Sequence, residues 1–150
     1  MSIRTIDINQ YPQFFNVSLQ NKHKYGEINT DFKLANQILQ LIPNNKFKNP
    51  KLKWLDPCCG RGYFSIVLYK KLFNNLPIKN DKDKHNHIIN EMLWMIEINS
   101  EHIPVLKEIF GENAHIINTD FLTITEKYDM IFGNPPFNVT GQVKVPTNIK

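Results

Sequence analysis

The stretch that most constrains the fold runs from Lys53 to Phe73. A short apolar segment, Lys53-Trp54-Leu55-Asp56, meets a tight turn, Pro57-Cys58-Cys59-Gly60-Arg61-Gly62. A helical pattern continues at once from Tyr63 to Phe73, with Phe64, Val67, Leu68 and Leu72 on its inward face. Strand, glycine turn, helix is the opening of a nucleotide-binding βαβ unit. Gly60 and Gly62 let backbone approach a ligand closely. Ser65 stands where a dinucleotide fingerprint would carry its third glycine, so this is a weak match to that fingerprint and disfavours a dinucleotide oxidoreductase.

Alternation continues on both sides of that unit. Asn29 or Thr30 caps a helix carrying Phe32, Ala35, Ile38, Leu39 and Ile42, ended by Pro43 and Asn44-Asn45. Residues 44–52 read as a connector. Residues 74–90 read as a mobile surface loop, because Lys79 to His87 is nearly all charged or polar. Met92 to Ile98 is a continuous apolar run closed by Glu97-Ile98, which suits a parallel strand covered on both faces. Asn99 or Ser100 caps a helix through Phe110, with Gly111 as its stop. His115 to Asn118 is a third strand and Tyr128 to Gly133 a fourth. This order predicts an α/β fold: an open, mainly parallel sheet with helices on both faces. Residues 1–24 show no period and read as a packed N-terminal arm.

Composition sets wide bounds. The chain has 150 residues, 41% hydrophobic and 21% charged, which suits one globular domain. No apolar run approaches the ~20 residues that span a bilayer, and no signal-peptide core opens the chain. The two cysteines are adjacent, Cys58 and Cys59, a poor arrangement for a disulfide, and point to a reducing, cytoplasmic or equivalent intracellular location. A net charge of +4 permits a polyanionic partner without demanding one. His85 and His87 lack the companions of a metal site, and Asp81 and Asp83 lack the glycine and glutamate of a calcium loop, so no metal is expected. No P-loop and no Ser/His/Asp or Cys/His arrangement is present.

Two features carry chemistry. Asp56, Glu97 and Asp120 fall at or just past the carboxyl ends of successive strands, the rim where such sheets bind ligands. The fourth strand then delivers Asn134-Pro135-Pro136-Phe137 to the same rim. Two prolines fix two φ angles and remove two backbone donors, and Asn134 is pushed extended by the proline after it. Acceptors are held still with few competing donors, and Phe137 adds a flat apolar plate. That suits gripping a planar group bearing an NH2. Each acid alone is an ordinary cap, and the tetrapeptide alone an ordinary turn. Their convergence on one rim is the informative observation.

Together, Asp56-Pro57-Cys58-Cys59-Gly60-Arg61-Gly62 and Asn134-Pro135-Pro136-Phe137 resemble the S-adenosylmethionine-dependent amino-methyltransferases. More narrowly they resemble the N6-adenine DNA methyltransferases of the gamma arrangement, in which a segment like Gly26-Glu27-Ile28-Asn29-Thr30 comes first. The likeness covers about residues 24–138 and departs at Asp31, where the family commonly has proline. It implies a Rossmann-like class I methyltransferase fold with strand order 3-2-1-4, residues 25–150 forming an incomplete domain whose later strands are missing. It implies S-adenosyl-L-methionine as cofactor and DNA as partner, its target adenine flipped, as in a restriction-modification system. Tyr25, Thr30, Asp56, Pro57, Gly60 and Gly62 would lie along the methionine side of the cofactor. Glu97 would accept from the ribose hydroxyls, Ile98 and Phe121 would pack on the cofactor's adenine, and Asp120 would accept from its amine. Asn134 and the Pro135 carbonyl would hold the target amine, ahead of Pro136, with Phe137 stacked on the target base.

Other readings stay open. RNA adenine or a protein glutamine amide would use the same acceptors. A non-catalytic subunit that binds cofactor or nucleic acid is a further alternative, and the strand-four edge invites a partner chain or a further segment to complete the sheet.

Overall fold

The computed structural model describes residues 2–7, 30 and 32–135. Helices α1 (Phe32–Gln40) and α2 (Asn44–Phe47) precede strand β1 (Trp54–Asp56). Helix α3 (Tyr63–Asn75), helix α4 (Asp81–His87) and a π-helical turn (Ile88–Met92) lead to β2 (Leu93–Glu97). A 3-10 turn (Ser100–His102) runs into α5 (Ile103–Phe110), then β3 (His115–Asn118), a second 3-10 turn (Phe121–Thr123) and β4 (Met130–Ile131). The four strands form one sheet in the order β3-β2-β1-β4, every pairing parallel. This is the α/β, Rossmann-like arrangement, with strand order 3-2-1-4, that the alternation and the resemblance imply. Among the described residues no helix is long and apolar enough to cross a membrane.

The core lies between α3 and one face of the sheet. Trp54, Leu93 and Met95 come from the sheet, and Ile66, Val67 and Leu68 from α3. Phe47 stacks on Trp54 at 5.2 Å, and Phe132 meets the edges of both Trp54 and Phe64. Burying an aromatic ring of this size stabilises by roughly 3 kcal/mol. The Trp54 indole Nε1 is buried without a hydrogen-bond partner among the described residues. That offsets about 1–3 kcal/mol, so Trp54 is held by packing rather than by its polar end. Ile3 and Ile6 are buried in the same core, and the Ile3 amide donates to the Ile109 carbonyl at 2.8 Å.

Four boundaries differ from the sequence-based expectation. The 44–52 connector contains α2, because Phe47 is an apolar anchor with no exposure at all. The expected mobile loop at 74–90 contains α4. Asn80 caps it by accepting from the Lys82 and Asp83 amides at 2.9 and 3.1 Å. Asp81 and Asp83 occupy its first turn and Lys84 its last, which complements the helix dipole. His87 Nε2 donates to the Pro50 carbonyl at 2.8 Å, and His85 Nδ1 is hydrogen-bonded to the Tyr69 hydroxyl at 2.8 Å, so both histidines dock the helix. Helix α1 ends at Gln40, ahead of Ile42. Strand β4 is two residues long rather than six, although the Phe132 amide still donates to the Leu55 carbonyl at 3.0 Å.

Candidate functional site

The carboxyl ends of β1, β2 and β4 meet at one place. Asp56 closes β1 at 1% exposure. Its Oδ2 accepts from the Ser65 hydroxyl at 2.8 Å. Ser65, which reads in sequence as a missing glycine, is thus the residue that holds this carboxyl. Asp56 Oδ1 is buried with no hydrogen-bond partner among the described residues. Burial pushes the Asp56 carboxyl up to about 7, against the opposing pull of Ser65 and the Cys58 backbone. Pro57 is buried beside it.

The glycine turn is shaped by two left-handed residues, Gly60 at φ 54° and Gly62 at φ 85°. A Cβ on Gly62 would stand 2.9 Å from Phe110 Cε2 and 3.0 Å from Leu106 Cδ2, so the glycine lets α5 close on the turn. Gly60 faces open space. Cys59 is buried and Cys58 half-buried. Burial raises the Cys58 thiol to about 11 and the Cys59 thiol well above its ordinary value, so both stay protonated and neither is a nucleophile at neutral pH.

Glu97 ties the turn to β2. Its Oε2 accepts from the Gly60 amide and its Oε1 from the Asn99 amide, each at 2.7 Å. His102, 2% exposed, places Nδ1 3.9 Å from Glu97 Oε1. Asn118, at the end of β3, donates its side-chain amide to the Glu97 carbonyl at 2.7 Å and to the Ile98 carbonyl at 3.2 Å. Ionised carboxylates have about four lone-pair sites, so Glu97 keeps acceptor capacity after its two backbone bonds.

The remaining rim residues are more open. Ile98 is 54% exposed and Phe121 half-buried. Asp120 is exposed, and its Oδ1 accepts from the Leu122 amide at 2.9 Å as the cap of the second 3-10 turn. At the end of β4, Gly133 has φ 151°, and a Cβ there would stand 3.0 Å from Asp56 Oδ1 and 3.3 Å from Pro57 Cδ. That absence of a side chain lets the two strand ends touch. Asn134 donates its side-chain amide to the Thr30 hydroxyl at 3.1 Å. Thr30 is 7% exposed, Asn134 half-buried and Pro135 exposed.

The structure therefore brings Thr30, Asp56, Pro57, Gly60, Gly62, Glu97, Asn134 and Pro135 to the joined ends of three strands. Ile98, Asp120 and Phe121 sit farther along the rim. Tyr25, Pro136 and Phe137 lie outside the described residues. Ser65, His102 and Asn118 also belong to the site, a place that sequence reasoning does not give them. The spacing Asn99-x-x-His102 on one helical turn is the available signal for His102. Among the described residues no group of three His, Cys, Asp or Glu side chains is placed to hold a metal.

Two carboxylates, oriented amides and a pair of glycines make a rim that favours a cation with hydrogen-bonding hydroxyls. No protein-family model matches the chain. The chain is 32% identical over 121 residues to the Type II methyltransferase M.VspI of Vibrio sp. (strain 343), an alignment covering 77% of this chain and 26% of that protein. The chain thus spans about a quarter of the length of that curated relative. Fold and likeness are compatible: the sheet is parallel and Rossmann-like, in the order β3-β2-β1-β4, and the chain is similar to part of a type II methyltransferase.

Proposed function

We propose that this chain carries the cofactor-binding and amine-gripping part of an S-adenosylmethionine-dependent methyltransferase acting on the N6 amine of adenine in DNA. The observation that carries the reading is the contact between two strand ends. Gly133 packs against Asp56 and Pro57, so Asn134 and Pro135 leave β4 beside the acidic rim, which supports reading the amine grip and that rim as one site. The likeness to a type II methyltransferase supports methyl transfer as the chemistry.

The residues fit the cofactor. An unpartnered, buried Asp56 Oδ1 is an acceptor in want of a donor, which the cofactor's ammonium would supply. Glu97 has acceptor capacity left for ribose hydroxyls, exposed Ile98 and half-buried Phe121 offer apolar surface for a purine, and Asp120 offers an acceptor for its amine. The open space at Gly60 lets a ligand lie against the turn. When bound, S-adenosylmethionine supplies an electrophilic methyl on a sulfonium centre.

The chain's own contribution is positioning and electrostatics. An adenine N6 lone pair is delocalised into its ring and is a poor nucleophile. Asn134 Oδ1 and the Pro135 carbonyl would accept from its two N–H bonds and draw the nitrogen toward tetrahedral geometry. The acidic rim favours a cationic ligand over a neutral one. No strong base is required, since the methylated amine loses a proton readily to water. A base in a duplex must be flipped to reach this rim, at a few kcal/mol. Stacking on Phe137 would return ~1–3 kcal/mol. A partner chain or further segment would complete the sheet at β4, where Ile131 is 58% exposed.

The test is a thermal-shift panel with S-adenosylmethionine against NAD, followed by methylated-nucleoside analysis after incubation with DNA, RNA or protein. Stabilisation by S-adenosylmethionine alone and N6-methyladenine in DNA are expected. Methyl groups on RNA or on glutamine would move the substrate, and stabilisation by NAD would end the proposal. Asn134→Ala is expected to abolish transfer while leaving cofactor affinity nearly intact.

A further inference from the structure

An asparagine amide presents an acceptor, Oδ1, and a donor group, Nδ2. Only the acceptor is useful against an amine whose hydrogens point toward it. The donor would meet those hydrogens head on. A half-turn about the last side-chain bond exchanges the two, and that torsion is soft. The covalent structure of Asn134 therefore does not choose between a productive and an unproductive face. A hydrogen bond to one end holds the amide in the orientation it has.

Nδ2 of Asn134 donates to Thr30 Oγ1 at 3.1 Å, between residues 104 apart in the chain. Thr30 is 7% exposed, so water competes weakly at that end. Oδ1 carries no hydrogen bond among the described residues, and Pro135 has no N–H to turn it back. We infer that Thr30 is a positioning residue: its hydroxyl, accepting from the Asn134 amide nitrogen, holds that side chain at the rim with the amide oxygen turned toward the amine to be methylated. This rests on the function proposed above. It gives Thr30 a role distinct from the cofactor contact that the family resemblance implies.

The test uses the ligand-free chain, labelled with nitrogen-15, and the variants Thr30→Val and Thr30→Ser. Valine keeps the shape and loses the hydroxyl; serine keeps the hydroxyl. The Asn134 side-chain NH2 is identified by its disappearance in Asn134→Ala. In the wild type its protons are expected to exchange slowly and to resonate away from free-amide positions. Thr30→Val is expected to speed that exchange by at least about fivefold, the factor of one hydrogen bond of ordinary net strength. Thr30→Ser retains the wild-type signature. A free-like, rapidly exchanging Asn134 amide in the wild type overturns the inference without recourse to any variant, as does a signature that Thr30→Val leaves in place.

In the transfer assay, Thr30→Val is expected to lower kcat about 10- to 100-fold with cofactor affinity changed little, because misplacing one acceptor degrades the geometry. Thr30→Ser restores it. Weakened cofactor binding with kcat and the amide signature untouched would assign the hydroxyl to the cofactor and overturn the inference. A wild type that transfers no methyl group to adenine condemns the proposed function instead, while the amide exchange still decides whether Thr30 holds Asn134.

Discussion

Glu97 and Asp120 stand on the same rim, at the ends of two strands that are neighbours in the sheet, and they behave oppositely. Glu97 is 7% exposed, and both its oxygens accept backbone amides at 2.7 Å. Asp120 is exposed and spends one oxygen capping a 3-10 turn at 2.9 Å. The cause is sheet position. β2 lies between β3 and β1, so its end is flanked by the glycine turn and by Asn99, which supply donors and exclude water. β3 is an edge strand, and the turn beyond its carboxyl end faces solvent. An acid after an apolar run thus becomes a structural staple in one case and a surface cap in the other.

Four substitutions would break or sharpen that contrast. The largest effect is expected from Glu97→Ala, which leaves the Gly60 and Asn99 amides without acceptors. One buried donor and one part-buried donor unsatisfied cost about 2–4 kcal/mol, read as a lowered midpoint in thermal or urea denaturation. Calorimetric titration is expected to show cofactor affinity weaker by at least about 100-fold. Unaltered stability would mean that Glu97 staples nothing.

Asp56→Asn comes next, and it separates charge from shape. The Asp56 carboxyl lies at about 7 in the folded chain against an ordinary 3.8. A raised value means its stabilising contribution is fully present below 3.8 and is lost as pH rises through about 7. The wild type is therefore expected to lose stability between 3.8 and about 7, whereas the Asp56→Asn variant has nothing to titrate at this position and shows a flatter profile. Binding of a cationic cofactor to the wild type should strengthen by up to about tenfold per unit as pH rises toward 7, and Asp56→Asn should lose that slope. A pH-independent wild type would show that burial does not govern this group.

Gly133→Ala probes the contact between strand ends. Its Cβ would meet Asp56 Oδ1 at 3.0 Å from a φ of 151°, so a loss of about 1–3 kcal/mol is expected along with reduced transfer. Full activity would show that the two motifs tolerate separation. Asp120→Ala should be mildest, about 0.5–1 kcal/mol for a lost cap on an exposed turn. A loss as large as that of Glu97→Ala would erase the distinction drawn between the two acids.

Much of the fold is legible in the residues because it rests on local periodicity. The strand at Trp54, the helix after Gly62 and the apolar run ending at Glu97 each announce themselves within a few residues. The 74–90 segment reads as a loop because α4 has almost no apolar face of its own. Its helix is carried by the Asn80 cap, by charges matched to the dipole, and by two histidines that dock on Tyr69 and on the Pro50 carbonyl. Periodicity cannot report a helix held that way. α2 is equally hidden, because one buried Phe47 in a lysine-rich stretch makes no pattern.

The candidate site divides along the same line. Residue order alone specified that Asp56, Glu97, Asp120 and Asn134 come to the rim, because parallel strands in right-handed βαβ units must deliver their carboxyl ends to one edge. It did not specify which of those groups would be buried, paired or left open. That Ser65 holds Asp56, that Gly133 lets β4 touch β1, and that Asn134 reaches Thr30 depend on contacts between segments far apart in the chain. Burial and hydrogen-bond partners are properties of neighbours in space, and only the packed sheet chooses those neighbours.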